Sequence, residues 1–350
     1  MRVDQTGESH RDVLRRTEGM EWAGRGIKGR GCFGKTWRHF FSILGFSAVV
    51  LAFHAAAMPA FGADKAIRLG ILPVLDTLPL HVAVSEGFFE KHGLNVQLVP
   101  FDSALERDAA MQAGQLEAYF GDMVNTVLVV QGGVPMRMVT VSYVSRPGQR
   151  QFAVVGRPGL EAGSLQALPS GTVGLSNATI MEYLLDLMEE RGLVPRGRFE
   201  RLEVKKIPIR MQMLLGGRLD LAILPEPLVS LAESQGARVY ADDQDLDVPL
   251  TVIGILDRLL QDPSGVGERF LTAYGDAVAA LSRDPEKYRK LMAESCRIPE
   301  SLRDTFRIPA FPRPGLPPKA EVERLLSWMG SRGLMSRPLK ADDLVWSARP

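Results

Sequence analysis

The stretch IRLGILPVLDTLPLHVAVSEGFFEKHGLNVQLVPF, residues 67–101, sets the rhythm of the chain. Ile67 to Val74 is β-rich, Leu80 to Phe89 has a helical pattern that Gly93 terminates, and Val96 to Phe101 is β-rich again. Ser103-x-x-Glu106 then forms a capping box opening a helix that ends near Gly114. A short strand at Ala118 to Phe120, a helix from Asp122 to Val130 and a strand at Met136 to Tyr143 continue the alternation. This rhythm predicts an α/β protein whose sheet is mainly parallel and covered by helices on both faces.

After Ser145-Arg146-Pro147-Gly148 the pattern restarts. Strands are expected at Phe152 to Val155, Thr172 to Leu175, Leu202 to Ile207, Leu221 to Leu224 and Ala237 to Ala241. Helices are expected at about Thr179 to Arg191, Ile209 to Leu215 and Leu228 to Ser234. The run Leu250 to Leu256 reads as a strand whose home is the first sheet. Helices follow at about 263–283 and 285–294, and a Pro-rich break precedes a last helix at 319–332. The simplest packing is one lobe from 66–145 plus 250–350 and another from 146–249, joined by two hinge crossings around a cleft.

Composition agrees with an ordinary globular chain. Of 350 residues 45% are hydrophobic and 24% charged, with 42 Lys and Arg against 41 Asp and Glu. Two Cys and five His exclude a disulfide framework and any multi-Cys zinc or iron–sulfur site. The sequence calls for no cofactor and no metal. His81 and His92 have no carboxylate at ligand spacing and read as surface or helix-packing residues.

Residues 1–62 read as a leader. Lys35 and Arg38 precede the apolar run Phe40 to Phe53, and small residues from Ala55 to Gly62 follow, which is the secretory signal pattern with cleavage expected after Gly62. An uncleaved membrane anchor is the alternative. Without the leader the chain keeps 33 basic against 36 acidic residues, which gives no reason to expect a nucleic-acid partner. Gly29 to Thr36 (GRGCFGKT) matches a phosphate-loop string, but no strand precedes it and it runs into the signal, so nucleotide binding is not expected.

Ligands of open α/β sheets sit outside the carboxyl ends of the strands, so candidate binding residues lie in the strand-to-helix turns. These are Asp76, Thr77, Ser103 and Asp122 in the first lobe and Ser176, Asn177, Thr179 and Glu226 in the second. Each type also caps helices, and Thr179-x-x-Glu182 is a second capping box. Three carboxylates facing one cleft, Asp76, Asp122 and Glu226, would repel without a cation or donors. Together they predict a nitrogen-bearing solute with NH or NH3+ groups. An oxyanion would instead want Arg146, Arg150 or Arg210.

The string Leu78-Pro79-Leu80-His81-Val82-Ala83 through Gly87-Phe88-Phe89-Glu90-Lys91-His92-Gly93-Leu94-Asn95-Val96 resembles the opening of the nitrate/sulfonate/thiamine-precursor group of solute-binding proteins. Gln112 to Ala118, Gly216 to Ala222 and Leu224-Pro225-Glu226-Pro227 resemble the same family in the same order. The resemblance implies a two-lobed type II periplasmic binding fold that closes on a small-molecule solute and delivers it to the transmembrane permease subunits of an ABC importer. It implies a periplasmic monomer that is not an enzyme, and it places Asp76, Thr77, Ser103, Asp122, Ser176, Asn177 and Glu226 along the family's pocket. Gly70 to Leu80 also resembles the start of chorismate dehydratase, and pyrimidine-precursor synthases share the fold. An enzyme of that kind, or a periplasmic sensor lobe, is the alternative reading. The synthases' Cys-rich segment and active His have no counterpart here.

Overall fold

The computed structural model describes residues 66–347. The expected leader, its cleavage point and the phosphate-loop string lie outside the described residues. In chain order the strands are β1 (Ile67–Ile71), β2 (Val96–Pro100), β3 (Ala118–Asp122), β4 (Met136–Val144), β5 (Phe152–Gly156), β6 (Gly171–Leu175), β7 (Phe199–Glu203), β8 (Leu221–Pro225), β9 (Arg238–Asp242) and β10 (Pro249–Leu256). The helices are α1 (Leu78–Ser85), α2 (Phe88–Lys91), α3 (Ala104–Gln112), α4 (Met123–Gln131), α5 (Ile180–Glu190), α6 (Ile207–Leu215), α7 (Leu228–Ser234), α8 (Asp257–Leu260), α9 (Val266–Arg283), α10 (Arg289–Ser295), α11 (Lys319–Ser331) and α12 (Ala341–Leu344).

The strands form two five-stranded sheets, ordered β2-β1-β3-β10-β4 and β7-β6-β8-β5-β9. In the first, β1 runs parallel to β2 and β3, while β10 is antiparallel to β3 and β4. In the second, β6 runs parallel to β7 and β8, while β5 is antiparallel to β8 and β9. Each sheet is therefore mixed: four strands share a direction and one opposes them. The opposing strand is in each case the one by which the chain arrives from the other sheet. Buried on both faces, β5, β8 and β10 read as unbroken apolar runs, FAVVG, LAILP and PLTVIGIL. Each fully buried Val, Ile or Leu there contributes roughly 1.5–3 kcal/mol.

Several boundaries differ from those expected. The first strand stops at Ile71 because Pro73 has no N–H to give the ladder, and Leu75–Thr77 form a 3-10 turn. The strand expected at Leu202 to Ile207 is instead Phe199–Glu203, an edge strand whose charged residues hide its period. Helix α6 begins earlier than expected, at Ile207, with Pro208 in its first turn. The short helices α8 and α12 carried no sequence signal.

Helix α11 joins the two halves. Its neighbour α12 packs on β4, and the segment between them is tied to α4, where Gln131 donates to Leu334 O at 3.2 Å and accepts from Ser336 N at 2.6 Å. From α11, Trp328 Nε1 donates to Asp186 of α5 at 2.6 Å, and its ring lies 5.1 Å from that of Tyr183. Arg332 and Arg201 donate to the same carboxylate. Burial alone would raise the Asp186 pKa, but bonds from Trp328, Arg201 and Arg332 hold it below the ordinary value. Trp328→Ala is expected to lower unfolding free energy by roughly 2–3 kcal/mol in guanidinium titrations. Trp328→Phe, which keeps the ring contact and loses one hydrogen bond, should cost only about 1 kcal/mol.

Candidate functional site

The two crossings between the sheets lie side by side. Ser145 N donates to Val248 O at 3.1 Å, and Val248 N donates to Ser145 Oγ at 3.0 Å. Asp243, at the start of the second crossing, accepts from the backbone N–H groups of Gln151 and Phe152 at 2.9 and 3.1 Å, at the end of the first. The Gln151 side chain in turn donates to Asp76 Oδ1 at 2.5 Å, and Thr251 Oγ1 of β10 donates to Asp76 Oδ2 at 2.8 Å. Asp76 thus ties the first strand-to-helix turn to both crossings. It is 1% exposed, and burial pushes its pKa up to about 7 against the bond from Thr251. Burial likewise raises Asp243, to about 6.

Beside these crossings lies a cavity of about 390 Å3. The first half contributes Leu75 and Tyr143, the crossing Gly148, Gln149 and Arg150, and the second half Glu226, Ser230 and Gln244. A strap from the C-terminal region completes its lining with Leu302, Thr305, Phe306, Arg307 and Pro309. The strap is latched to the crossing by paired bonds: Ala310 N donates to Gln149 Oε1 at 2.8 Å and Gln149 Nε2 donates to Ala310 O at 2.9 Å. Arg307 donates to Gly148 O at 3.0 Å, and Arg146 also donates to Ala310 O. Phe311 sits edge-on to Tyr143 with ring centres 6.0 Å apart.

Of the eight residues expected to line a pocket, Glu226 alone lines this cavity. Its Oε1 accepts from Arg150 Nε and Nη2 at 2.8 and 2.6 Å, and its Oε2 accepts from Ser230 N and Oγ at 3.1 and 2.9 Å. Asp122 is half-buried and caps α4, accepting from Asn125 N at 2.8 Å; burial raises its pKa to about 6. Thr77 is buried and donates to Val74 O at 2.7 Å, so its hydroxyl closes the turn and makes no capping bond to α1, at whose N-cap it stands. Ser103 caps α3 through Glu106 N at 3.3 Å. In the 176–179 turn, Ser176 Oγ accepts from Arg210, Asn177 is exposed, and Thr179 Oγ1 accepts from Met181 N.

The three carboxylates expected to share one cleft are therefore each held by donors of the protein itself, in three different networks. The argument for a ligand rich in NH groups loses that support. The cavity's remaining chemistry came from residues outside the turns: Gln149, Tyr143, Gln244 and the strap. The prolines at 309, 312 and 314 signalled the strap only as a break in helix.

Two mixed α/β sheets, two adjacent crossings and a cavity walled by both halves define the two-lobed fold of periplasmic binding proteins. The model of the NMT1-like family matches residues 62–156. The chain is 30% identical over 222 residues to the nitrate import ATP-binding protein NrtC of Synechocystis, covering 57% of this chain and 33% of that protein. It thus spans about a third of that relative's length. The solved aliphatic sulphonate binding protein SsuA of Escherichia coli superposes with a TM-score of 0.70 at 14% identity, covering 82% of this chain and 94% of that one. The alkanesulfonate-binding SsuA of Xanthomonas axonopodis superposes with a TM-score of 0.67 at 14% identity, over 80% and 98% of the two chains. These neighbours share the fold.

Two measurements check the site's wiring. Asp76 holds its proton to about pH 7 in the fold but releases it near 3.8 when unfolded, so its contribution is complete below that lower value and is lost as pH rises through about 7. Asp76→Asn should remove this loss: melting from pH 4 to 8 should show the variant gaining on the parent by at most about 4 kcal/mol. A constant difference across that range would refute the buried-acid account. Arg150→Ala should cost roughly 2–3 kcal/mol by stranding Glu226, and Glu226→Gln should return part of it, giving a coupling of about 1 kcal/mol or more in a double-mutant cycle.

Proposed function

We propose that this chain is the solute-binding component of an ABC importer, holding a small organic molecule in the cavity between its lobes and passing it to the transmembrane permease subunits. The observation that carries the proposal is the construction of that cavity. Residues from both halves, from one crossing and from the strap meet at a volume of about 390 Å3, suited to a small molecule. Closure of one lobe on the other changes such a site from both sides at once.

The lining favours binding over catalysis. Glu226, its one carboxylate, is committed to Arg150 and Ser230, and the lining includes no Cys or His to act as nucleophile or base. No helix among the described residues is long and apolar enough to cross a membrane. A periplasmic location after removal of residues 1–62 completes the proposal, with the chain acting as a monomer.

Thermal unfolding in the presence of sulfonates, nitrate, pyrimidines, flavins, amino acids, polyamines and aromatic acids tests it. A true solute at one hundred times its Kd stabilises the protein by about 2.7 kcal/mol, and small-angle scattering should show the particle contract as the lobes close. Silence across all these classes would sink solute capture.

A further inference from the structure

The buried ties between the crossings and the wall of the cavity are opposite sides of the same backbone. Leu75 lines the cavity, and Asp76 beside it enters the buried network. The same holds for Tyr143 and Ser142, for Arg150 and Gln151, and for Gln244 and Asp243. The first turn, β4 and each crossing therefore set a lining side chain next to a network side chain. Whatever moves the network moves the wall.

Asp76 is the centre of that network. Ser142 Oγ donates to its backbone O at 2.7 Å, Thr251 Oγ1 donates to Oδ2 at 2.8 Å, and the Gln151 amide meets Oδ1 at 2.5 Å. The last distance is short for an amide N–H donor and ordinary for a carboxylic O–H donating to oxygen. With the Gln151 amide turned over, a proton on Asp76 Oδ1 donates to Gln151 Oε1, a buried atom that otherwise has no partner among the described residues. The geometry thus has a place for one proton where the crossings meet the first turn.

The surroundings make that proton matter. Among the described residues no cation pairs with Asp76, and the like charge of Asp243 acts on it. Tyr143 of β4, Tyr274 of α9 and Cys296 after α10 face it and are pushed up by burial and by its charge, so they stay neutral; Arg146 acts on Tyr143. Burial pushes Asp76 up to about 7 and Asp243 to about 6. Two further ties between the halves do not titrate in this range. Asp186, which α11 grips, is held below the ordinary carboxylate value, and the strap is latched to the crossing by amide and guanidinium groups.

We propose that the crossings form a proton-operated hinge: protonated Asp76 holds the halves in the present arrangement, and loss of its proton to solvent lets water reach the carboxylate as the sheets swing apart about their joined edges and reshape the cavity. The crossings join β4 and β10 to β5 and β9, which leaves β2 and β7 as the edges farthest from the hinge. Opening therefore separates α3 and α6, the helices that follow those strands. The inference needs no solute, so it stands or falls apart from solute capture.

The test is energy transfer between fluorophores on Leu105→Cys of α3 and Ile209→Cys of α6, both exposed positions, in the full-length chain carrying Cys32→Ser; Cys296 is buried. An Asp76 that returns to its ordinary 3.8 in contact with water makes the ratio of open to tied forms grow from pH 4 to about 7, by up to about a thousandfold, and then level off. The labels should therefore separate as pH rises and stop separating above about pH 7. Asp76→Asn should hold the low-pH separation throughout. Thr251→Val removes a donor that favours the ionised carboxylate, so the levelling point should move to higher pH; Asp243→Asn removes a like charge and should move it lower. A separation independent of pH, a response that survives Asp76→Asn, or shifts of the same sign in Thr251→Val and Asp243→Asn overturns the hinge.

Discussion

The hydrogen bonds converging on Asp76 are the constraint on which the rest of the molecule depends. One buried carboxylate receives a donor from each crossing region, Gln151 beside the first and Thr251 just beyond the second. The neighbouring carboxylate of Asp243 clamps the crossings together through two backbone N–H groups. Two sheets joined by only two strands of chain need such ties, and these, with the α11 contacts to α5, set the width of the cavity wall between Tyr143 and Glu226. Taking both acids out of water is costly, and this desolvation is why both protonate far more readily than an exposed aspartate. Gln151 Oε1 and Asp243 Oδ2 have no partner among the described residues, so a proton on either acid can be accommodated locally.

Around this hinge the two halves use the same internal device. A glycine in the strand that stands second in each sheet, β1 and β6, leaves room for a leucine and the stem of an arginine from the second crossover helix. An acid then closes the adjacent edge: Glu117 accepts from Arg68 N at 3.0 Å, and Asp220 accepts from Thr172 N at 2.9 Å. The repetition explains why the strand order is the same in both sheets, with the reversed strand fourth in each. Differences between the halves then stand out as choices not dictated by the backbone.

Much of this architecture was legible in the sequence because it is written in apolar periodicity. The runs at Phe152, Leu221 and Leu250 are unbroken, and unbroken runs in an α/β rhythm mean strands buried on both faces. Element ends were harder where charge interrupts the period, as in β7, or where proline changes hydrogen bonding, as at Pro73. The turns were located, and the caps of Ser103, Asp122 and Thr179 follow from their types. The cavity wall was not legible, because Gln149 meets Ala310 across 161 residues and no local pattern encodes that pairing.

Charge was the least readable property, for a physical reason. A list of acids in turns gives formal charge, whereas a ligand feels what is left after internal pairing. Asp76, Asp122 and Glu226 suggested an acidic cleft, yet bonds from Gln151 and Thr251, from Asn125, and from Arg150 and Ser230 already occupy them. Arg210 stood out in the sequence only as one of three arginines, with Arg146 and Arg150, that an oxyanion would want. Because Ala222 and Met211 stand where Tyr119 and Asp108 compensate its counterpart Arg107, it is the charge left over. Inside a low-dielectric lobe an uncompensated cation carries farther than several compensated anions, since screening by water is lost while paired charges cancel within a few ångström. Arg210 is therefore the buried charge of the second half that has no ion-pair partner among the described residues.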